Sequence, residues 1–180
     1  MKRLCAVAVI LFAGIASSQE KKLEAPKVGT EHEFLKQFVG EWDGEVEAFM
    51  EPDKPPVKSK GSMTGSMIGN FWAIVVVKGE TMGEPYQGQA TFGYDSQKKK
   101  YIGTWTDSMS EFLWQYEGIV EGNKLVLDSE GPNPAEPGKM MKARDTWEFK
   151  GKDQILLTGE MEGPDGKMVT GVKVTCTRRK

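Results

Sequence analysis

Three stretches of this 180-residue chain place aromatic and polar side chains two positions apart: Tyr101, Gly103, Trp105 and Asp107; Phe112, Trp114 and Tyr116; and Asp145, Trp147 and Phe149. In extended backbone, residues two apart share a face. Each stretch would therefore present rings together with a carboxylate or hydroxyl, a combination that suits a small-molecule pocket. Two uses follow. Rings at Tyr101, Trp105, Trp114, Tyr116 and Trp147 can hold an apolar or amphipathic ligand, with Asp107 and Arg144 as polar contacts, or they can simply fill a core. Alternatively, Asp107 with Tyr116 or Arg144 would form an acid–base pair if they met in one cavity. Asp107 precedes Ser108-Met109-Ser110 and shares the Trp105 face, so it could project into such a space. Asp95 precedes Ser96-Gln97-Lys98, where its carboxylate can accept backbone N–H groups in an Asx-type turn, and Lys98, Lys99 and Lys100 read as a solvated loop tip.

Other chemistries find few residues to carry them. His32 is the one histidine, at the start of a helical segment, so a Ser/His/Asp triad would need it to reach across the fold. His32 and Cys176 are too few for the three or four His and Cys ligands usual at zinc, and Gly163-Pro164-Asp165-Gly166 lacks the acids of an EF-hand loop. The sequence reading assigns neither metal nor cofactor. No pair of carboxylates is singled out by its spacing for glycoside chemistry.

The elements that must position these residues are short and extended. From Gly40 onward, runs rich in Val, Thr, Tyr, Phe and Trp are divided by clusters of Gly, Pro, Asn and Asp. The pattern predicts strands near 41–50, 57–67, 70–79, 86–95, 99–107, 112–121, 124–130, 140–150, 153–162 and 167–178. Dividers such as Glu121-Gly122-Asn123 favour tight antiparallel turns, hence a meander. A meander of about ten strands loses its exposed edges if it closes, so an all-β, antiparallel up-and-down β-barrel is predicted, with a two-sheet sandwich as the alternative. Gly61, Gly65 and Gly69 mark where a coiled strand bends. Before the barrel, Thr30 is placed to cap a short helix with Glu33 at the capping-box position, and Phe34, Leu35 and Phe38 give its apolar side. Phe71-Trp72-Ala73-Ile74-Val75-Val76-Val77 is apolar on both faces and calls for cover on its outer side, by the helix or by a second copy of the chain in a homodimer.

At the N-terminus, Lys2 and Arg3, an apolar run from Leu4 to Ile15, and the small residues Ala16 and Ser18 have the form of a secretory signal peptide over residues 1–18. The expected location is the periplasm or outside the cell. A retained N-terminal anchor is the alternative. The apolar run is short for a membrane span, which needs ~20 residues, and no other stretch approaches that length. The whole chain has 24 basic and 26 acidic residues, a net charge of −2. Loss of Lys2 and Arg3 makes it more acidic, which argues against nucleic acid as a partner. Cleavage would also remove Cys5, leaving Cys176 without an intramolecular partner.

Gly40-Glu41-Trp42 on the first strand after a short helix, with an Arg late in the last strand, resembles the calycin pattern of lipocalins and fatty-acid-binding proteins. The resemblance implies that Trp42 seals one barrel end and that Arg178, or Arg179 beside it, packs across the ring. "HEFLKQFVGEW", "GEPYQGQATFGYDSQKKKYIGTWTDSMS" and "VTCTRRK" together resemble the domain of unknown function 1579 family of exported bacterial proteins. That implies a lipocalin-like barrel and carries over no activity. Nitrobindin-like haem barrels are a more distant likeness, and they use a late-strand histidine that has no counterpart after His32. The expected layout is a signal peptide over 1–18, a flexible leader over 19–30 and one lipocalin-like β-barrel domain over 31–180. The expected function is non-catalytic binding of a small apolar or amphipathic ligand, with a solid-cored interaction module as the alternative.

Overall fold

Ten strands follow one another in a continuous meander: β1 (Gly40–Ala48), β2 (Val57–Ile68), β3 (Trp72–Thr81), β4 (Glu84–Asp95), β5 (Lys100–Asp107), β6 (Trp114–Glu121), β7 (Lys124–Pro132), β8 (Met140–Lys150), β9 (Gln154–Glu162) and β10 (Met168–Arg178). Each pairs antiparallel with its neighbours. β1 pairs with β10 from Trp42↔Arg178 to Ala48↔Val172, so the sheet is a closed barrel rather than a sandwich. Closure leaves no strand edge to template another chain. The computed structural model describes residues 27–51 and 53–180. The predicted signal peptide and most of the leader lie outside the described residues. Among the described residues no helix is long and apolar enough to cross a membrane.

Two strands begin two residues later than their sequence pattern suggests. β3 starts at Trp72 because Gly69, at φ +57°, turns the chain before it. β6 starts at Trp114 because residues 108–113 are held as a loop, where Asp107 Oδ1 accepts Met109 N–H at 2.8 Å and Ser110 Oγ accepts Phe112 N–H at 3.0 Å.

Helix α1 (Thr30–Leu35) and a single 3₁₀ turn (Lys36–Phe38) precede the barrel. The cap is not Thr30. Gly29 occupies that position, and His32 Nδ1 reaches back to accept its N–H at 3.0 Å, while Glu33 pairs with Lys36 at 2.6 Å. The sole histidine of the chain thus serves the helix start, buried edge-on against Phe71 and Tyr94. A helix this short has little stability of its own and forms because it packs. Leu35 and Phe38 have no exposed surface, and Phe38 contacts the rings of Phe92, Trp147 and Phe149 with centroids 5.0–5.3 Å apart.

The helix therefore plugs one barrel end and does not lie along the outer wall. Trp72, on the outer face of β3, stays 38% exposed and lies over Gly93, with Ile74 and Val76 half-buried beside it.

The plug is fitted against β2. A Cβ at Gly65 would collide with the carbonyl oxygen of Phe38, which itself accepts the Trp42 indole N–H at 3.0 Å. Backbone cannot yield as a side-chain tip can. Gly65→Ala is expected to destabilise the fold by about 1–3 kcal/mol, the usual cost of overpacking, read as a lowered urea midpoint with unchanged slope.

Candidate functional site

The two barrel ends differ. At the helix end the connections have two to four residues, and most inward side chains there, among them Trp42, Phe92, Tyr101, Phe149 and Ile155, are buried, with Met67, Tyr94 and Val120 partly so. At the opposite end four of the five connections are longer: eight residues after β1, six after β5, seven after β7 and five after β9. There the inward-facing Val46, Val77, Tyr86, Trp105, Asp107, Trp114, Asp145 and Leu157 all keep accessible surface. One end is a sealed plug, and the other, the cup, keeps part of its inward side chains accessible.

Of the residues singled out in the sequence, Trp105, Asp107, Trp114 and Tyr116 belong to the cup. Trp105 and Trp114 are in register on β5 and β6, and their rings lie where Cβ atoms at Gly88 and Gly131 would stand. Those two glycines are the space the indoles occupy. The Trp105 indole N–H donates to Asp107 Oδ2 at 2.8 Å, with the Tyr86 phenol nearby. Asp107 thus orients an indole with one oxygen and holds its loop with the other. Tyr116 donates to Asp145 Oδ2 at 2.8 Å, not to Asp107.

The remaining candidates lie elsewhere. Tyr101 belongs to the plug: its hydroxyl donates to Glu31 O at 3.1 Å and is pushed up to about 12, mainly by burial. Trp147 lies deeper than the cup, against Phe38 and Phe92. Arg144 is a correction. It projects from the outer wall, where its Nε donates to Asp128 Oδ1 at 2.7 Å, because it is one residue from the inward Asp145. It borders a depression of about 420 Å³ on the outside, lined by Glu117, Lys124, Asp128 and Glu160. An acid–base pair of Asp107 with Arg144 does not assemble.

Asp145, Tyr86 and Ser129 are cup residues that the sequence reading passed over as site residues. Asp145 was already on the Trp147 face by parity, and Tyr86 is an even-numbered neighbour of Phe92 on β4, so period two was the available signal. Burial raises the Asp145 carboxyl to about 6, against which the Tyr116 hydrogen bond acts in the lowering direction. Tyr86 and Tyr116 are shifted upward, first by burial and then by the nearby charges of Asp107 and Asp145. Both phenols are donors at neutral pH. Ser129 Oγ and Trp147 Nε1 are buried without a hydrogen-bond partner. Ser129 faces inward on β7 opposite Ala143, two residues from the Leu127↔Asp145 pair. Exposed methionines surround the rim: Met50, Met82, Met109, Met140 and Met161.

Asp95 is a turn residue, with its Oδ1 accepting the N–H groups of Gln97 and Lys98 at 2.8 and 3.0 Å, while Lys98 and Lys100 pair with Glu117 outside the barrel. Cys176 is buried and unpaired, its thiol pushed to about 11 by burial. Among the described residues, no three His, Cys, Asp or Glu side chains converge as metal ligands.

The plugged end carries a second cluster. Trp42 lies beneath Arg178, whose guanidinium carbon is 3.9 Å from the ring centroid. The same guanidinium donates to the carbonyls of Lys152 at 2.6 Å and Val39 at 2.7 Å. Gly40 has φ +129°, and a Cβ there would overlap Arg178 Nη1. Arg179 takes no part, since it points outward to Glu41 and Asp43. A ten-stranded meander closed this way, with a short helix as its plug, is a lipocalin-like barrel.

The chain belongs to the family described as "Protein of unknown function (DUF1579)", whose model matches residues 27–178. Among solved structures it is similar to Rv2717c from M. tuberculosis, at TM-score 0.61 and 11% identity over 86% of this chain and 100% of that one. It is also similar to the S-type phycobiliprotein lyase CPES from Guillardia theta, at TM-score 0.55 and 14% identity over 82% and 92% of the two chains. At these identities the likeness is one of fold. No curated protein matches the chain.

Proposed function

We propose that this protein binds a small amphipathic molecule in the cup end of its barrel and does so without chemical conversion. The observation that carries this reading is the division of the interior into a sealed plug and a partly accessible half in which indoles, phenols and carboxylates converge. A barrel built only for stability has no reason to keep Trp105 and Trp114 accessible in the same half of the interior as Asp145, whose charged form is costly to bury. The methionine rim suits the apolar part of such a ligand, since unbranched thioether side chains adapt to varied shapes.

The test is titration with the neutral fluorescent amphiphile N-phenyl-1-naphthylamine. Saturable binding of one molecule per chain is expected. Ala143→Phe, which fills an inward position on β8, is expected to weaken it by about tenfold or more, or about 1.4 kcal/mol. Absence of saturable binding, or unaltered affinity in Ala143→Phe, would remove the reading.

We also propose that the protein works outside the cytoplasm, on the basis of Lys2, Arg3 and the apolar run that follows. N-terminal sequencing of the protein from the source cell's envelope or medium is expected to begin at Gln19. A chain beginning at Met1 in the cytosolic fraction would contradict this.

A further inference from the structure

We infer that the polar end of the ligand is a protonated amine, held between the carboxylates of Asp145 and Asp107 and under the rings of the cup. This rests on the ligand-binding reading above and specifies its chemical class.

The first argument is the sign of the field. Asp107 accepts the Trp105 indole N–H and Asp145 the Tyr116 hydroxyl, and both carboxylates act on the phenols of Tyr86 and Tyr116, so the two lie around the same pair of phenols. Apart from Arg178, which lies over Trp42 at the other end, no lysine or arginine holds an inward position on the ten strands. Among the described residues, no ion pair is formed by Asp107 or Asp145. A fatty-acid carboxylate or a phosphate placed there would add a like charge at low dielectric, whereas an ammonium would supply the opposite one through charge-assisted N–H···O bonds.

The second argument is independent of charge. Ser129 is 8% exposed, faces inward in the same layer and has no partner for its Oγ, so it offers an acceptor to an N–H that the two carboxylates do not reach. Trp147 Nε1, the other unpartnered polar atom, belongs to the next inward residue along β8 from Asp145 and lies below it, toward the plug. Indole and phenol faces at Trp105, Trp114, Tyr86 and Tyr116 attract a cation through their quadrupoles. An amine on an apolar tail would thus meet acceptors, π-faces and, at the rim, methionines.

The groups around Asp145 are Tyr116 from β6, which donates to it, and Tyr86 from β4, on which its charge acts, with Gly159 of β9 and Val172 of β10 beside it, while Asp107 on β5 acts on the same two phenols. Both phenols stay neutral to high pH, so the charge of Asp145 governs the cup in the acid range. Below about pH 6 this carboxyl is protonated and its attraction for an ammonium is lost.

The probes are octylamine, 1-octanol and octanoate, three equal tails with a cationic, a neutral and an anionic head, each followed by tryptophan fluorescence and by calorimetry. Octylamine is expected to bind at least about tenfold more tightly than octanol, and octanoate more weakly than octanol. The octylamine affinity is expected to rise about tenfold between about pH 5 and about pH 7.5, with that of octanol unchanged. Asp145→Asn, and separately Asp107→Asn, should each bring octylamine down toward octanol and leave octanol binding in place. Either variant suffices if the other does not fold. If all three probes bind equally, or octanoate binds best, the amine assignment fails while the ligand-binding reading stands. If none of the three binds, and the naphthylamine also fails to bind, both are overturned.

Discussion

Trp42→Ala is expected to lower stability by about 3–5 kcal/mol, the largest effect of any substitution considered, and Arg178→Ala by about 1–3 kcal/mol. The indole is 1% exposed, fills the base of the plug and donates to the carbonyl of Phe38, so its removal leaves a cavity and an orphaned acceptor. Arg178 contributes a cation–π contact worth about 0.5–2 kcal/mol. Its guanidinium also draws the carbonyls of Val39 and Lys152 onto one group, tying the helix–β1 junction to the β8–β9 turn. Because ring and guanidinium touch at 3.9 Å, the two losses overlap. In a double-mutant cycle by urea unfolding, the pair should cost less than the sum of the singles by about 0.5–3 kcal/mol. Strict additivity would mean that the stack does not hold the barrel closed.

The second large effect has the opposite direction. Asp145→Asn is expected to stabilise the protein by about 1–3 kcal/mol at neutral pH, even though the substituted residue lines the proposed site. The carboxyl is raised from 3.8 to about 6 in the folded chain. A raised acid means that the folded state binds a proton more tightly than the unfolded state. Its contribution to stability is therefore fully present below the unfolded value, is lost as pH rises from about 4 to about 6, and is absent above that. Asparagine keeps an acceptor for the Tyr116 hydroxyl and carries no charge to desolvate. Wild type and variant should thus converge in stability near about pH 4 and separate toward neutral pH. The part of Asp145 accessible in the cup moderates the effect, hence the lower end of the range. A variant less stable than wild type at neutral pH would show that the ionised carboxylate is compensated in the folded chain. A charge kept at a cost to stability is the usual mark of a site.

Arg178 and Asp145 also show how far the amino-acid sequence reaches. The strands and their order were legible because they depend on local matters: side chains that alternate at a spacing of two, and Gly, Asn and Asp where the backbone must turn. The Trp42–Arg178 seal was legible through the resemblance of Gly40-Glu41-Trp42 and a terminal arginine to the calycin pattern, and the structure supplies its steric reason, since a Cβ at Gly40 would overlap the Arg178 guanidinium. Arg144 was misplaced because it was grouped by its chemistry, although parity with Asp145 already put it on the other face.

What no local pattern contains is which inward residues meet across the barrel. Tyr116 finds Asp145 at a distance of 29 residues, and Trp105 and Tyr86 come together only once β4 and β5 are in register. Those meetings follow from the register of ten paired strands, a property of the closed sheet as a whole. The division between plug and cup has the same origin. Tyr101 and Trp105 have the same parity on one strand, yet one is sealed beneath the helix and the other stays accessible, because the helix packs into a single end and only the tertiary structure decides which.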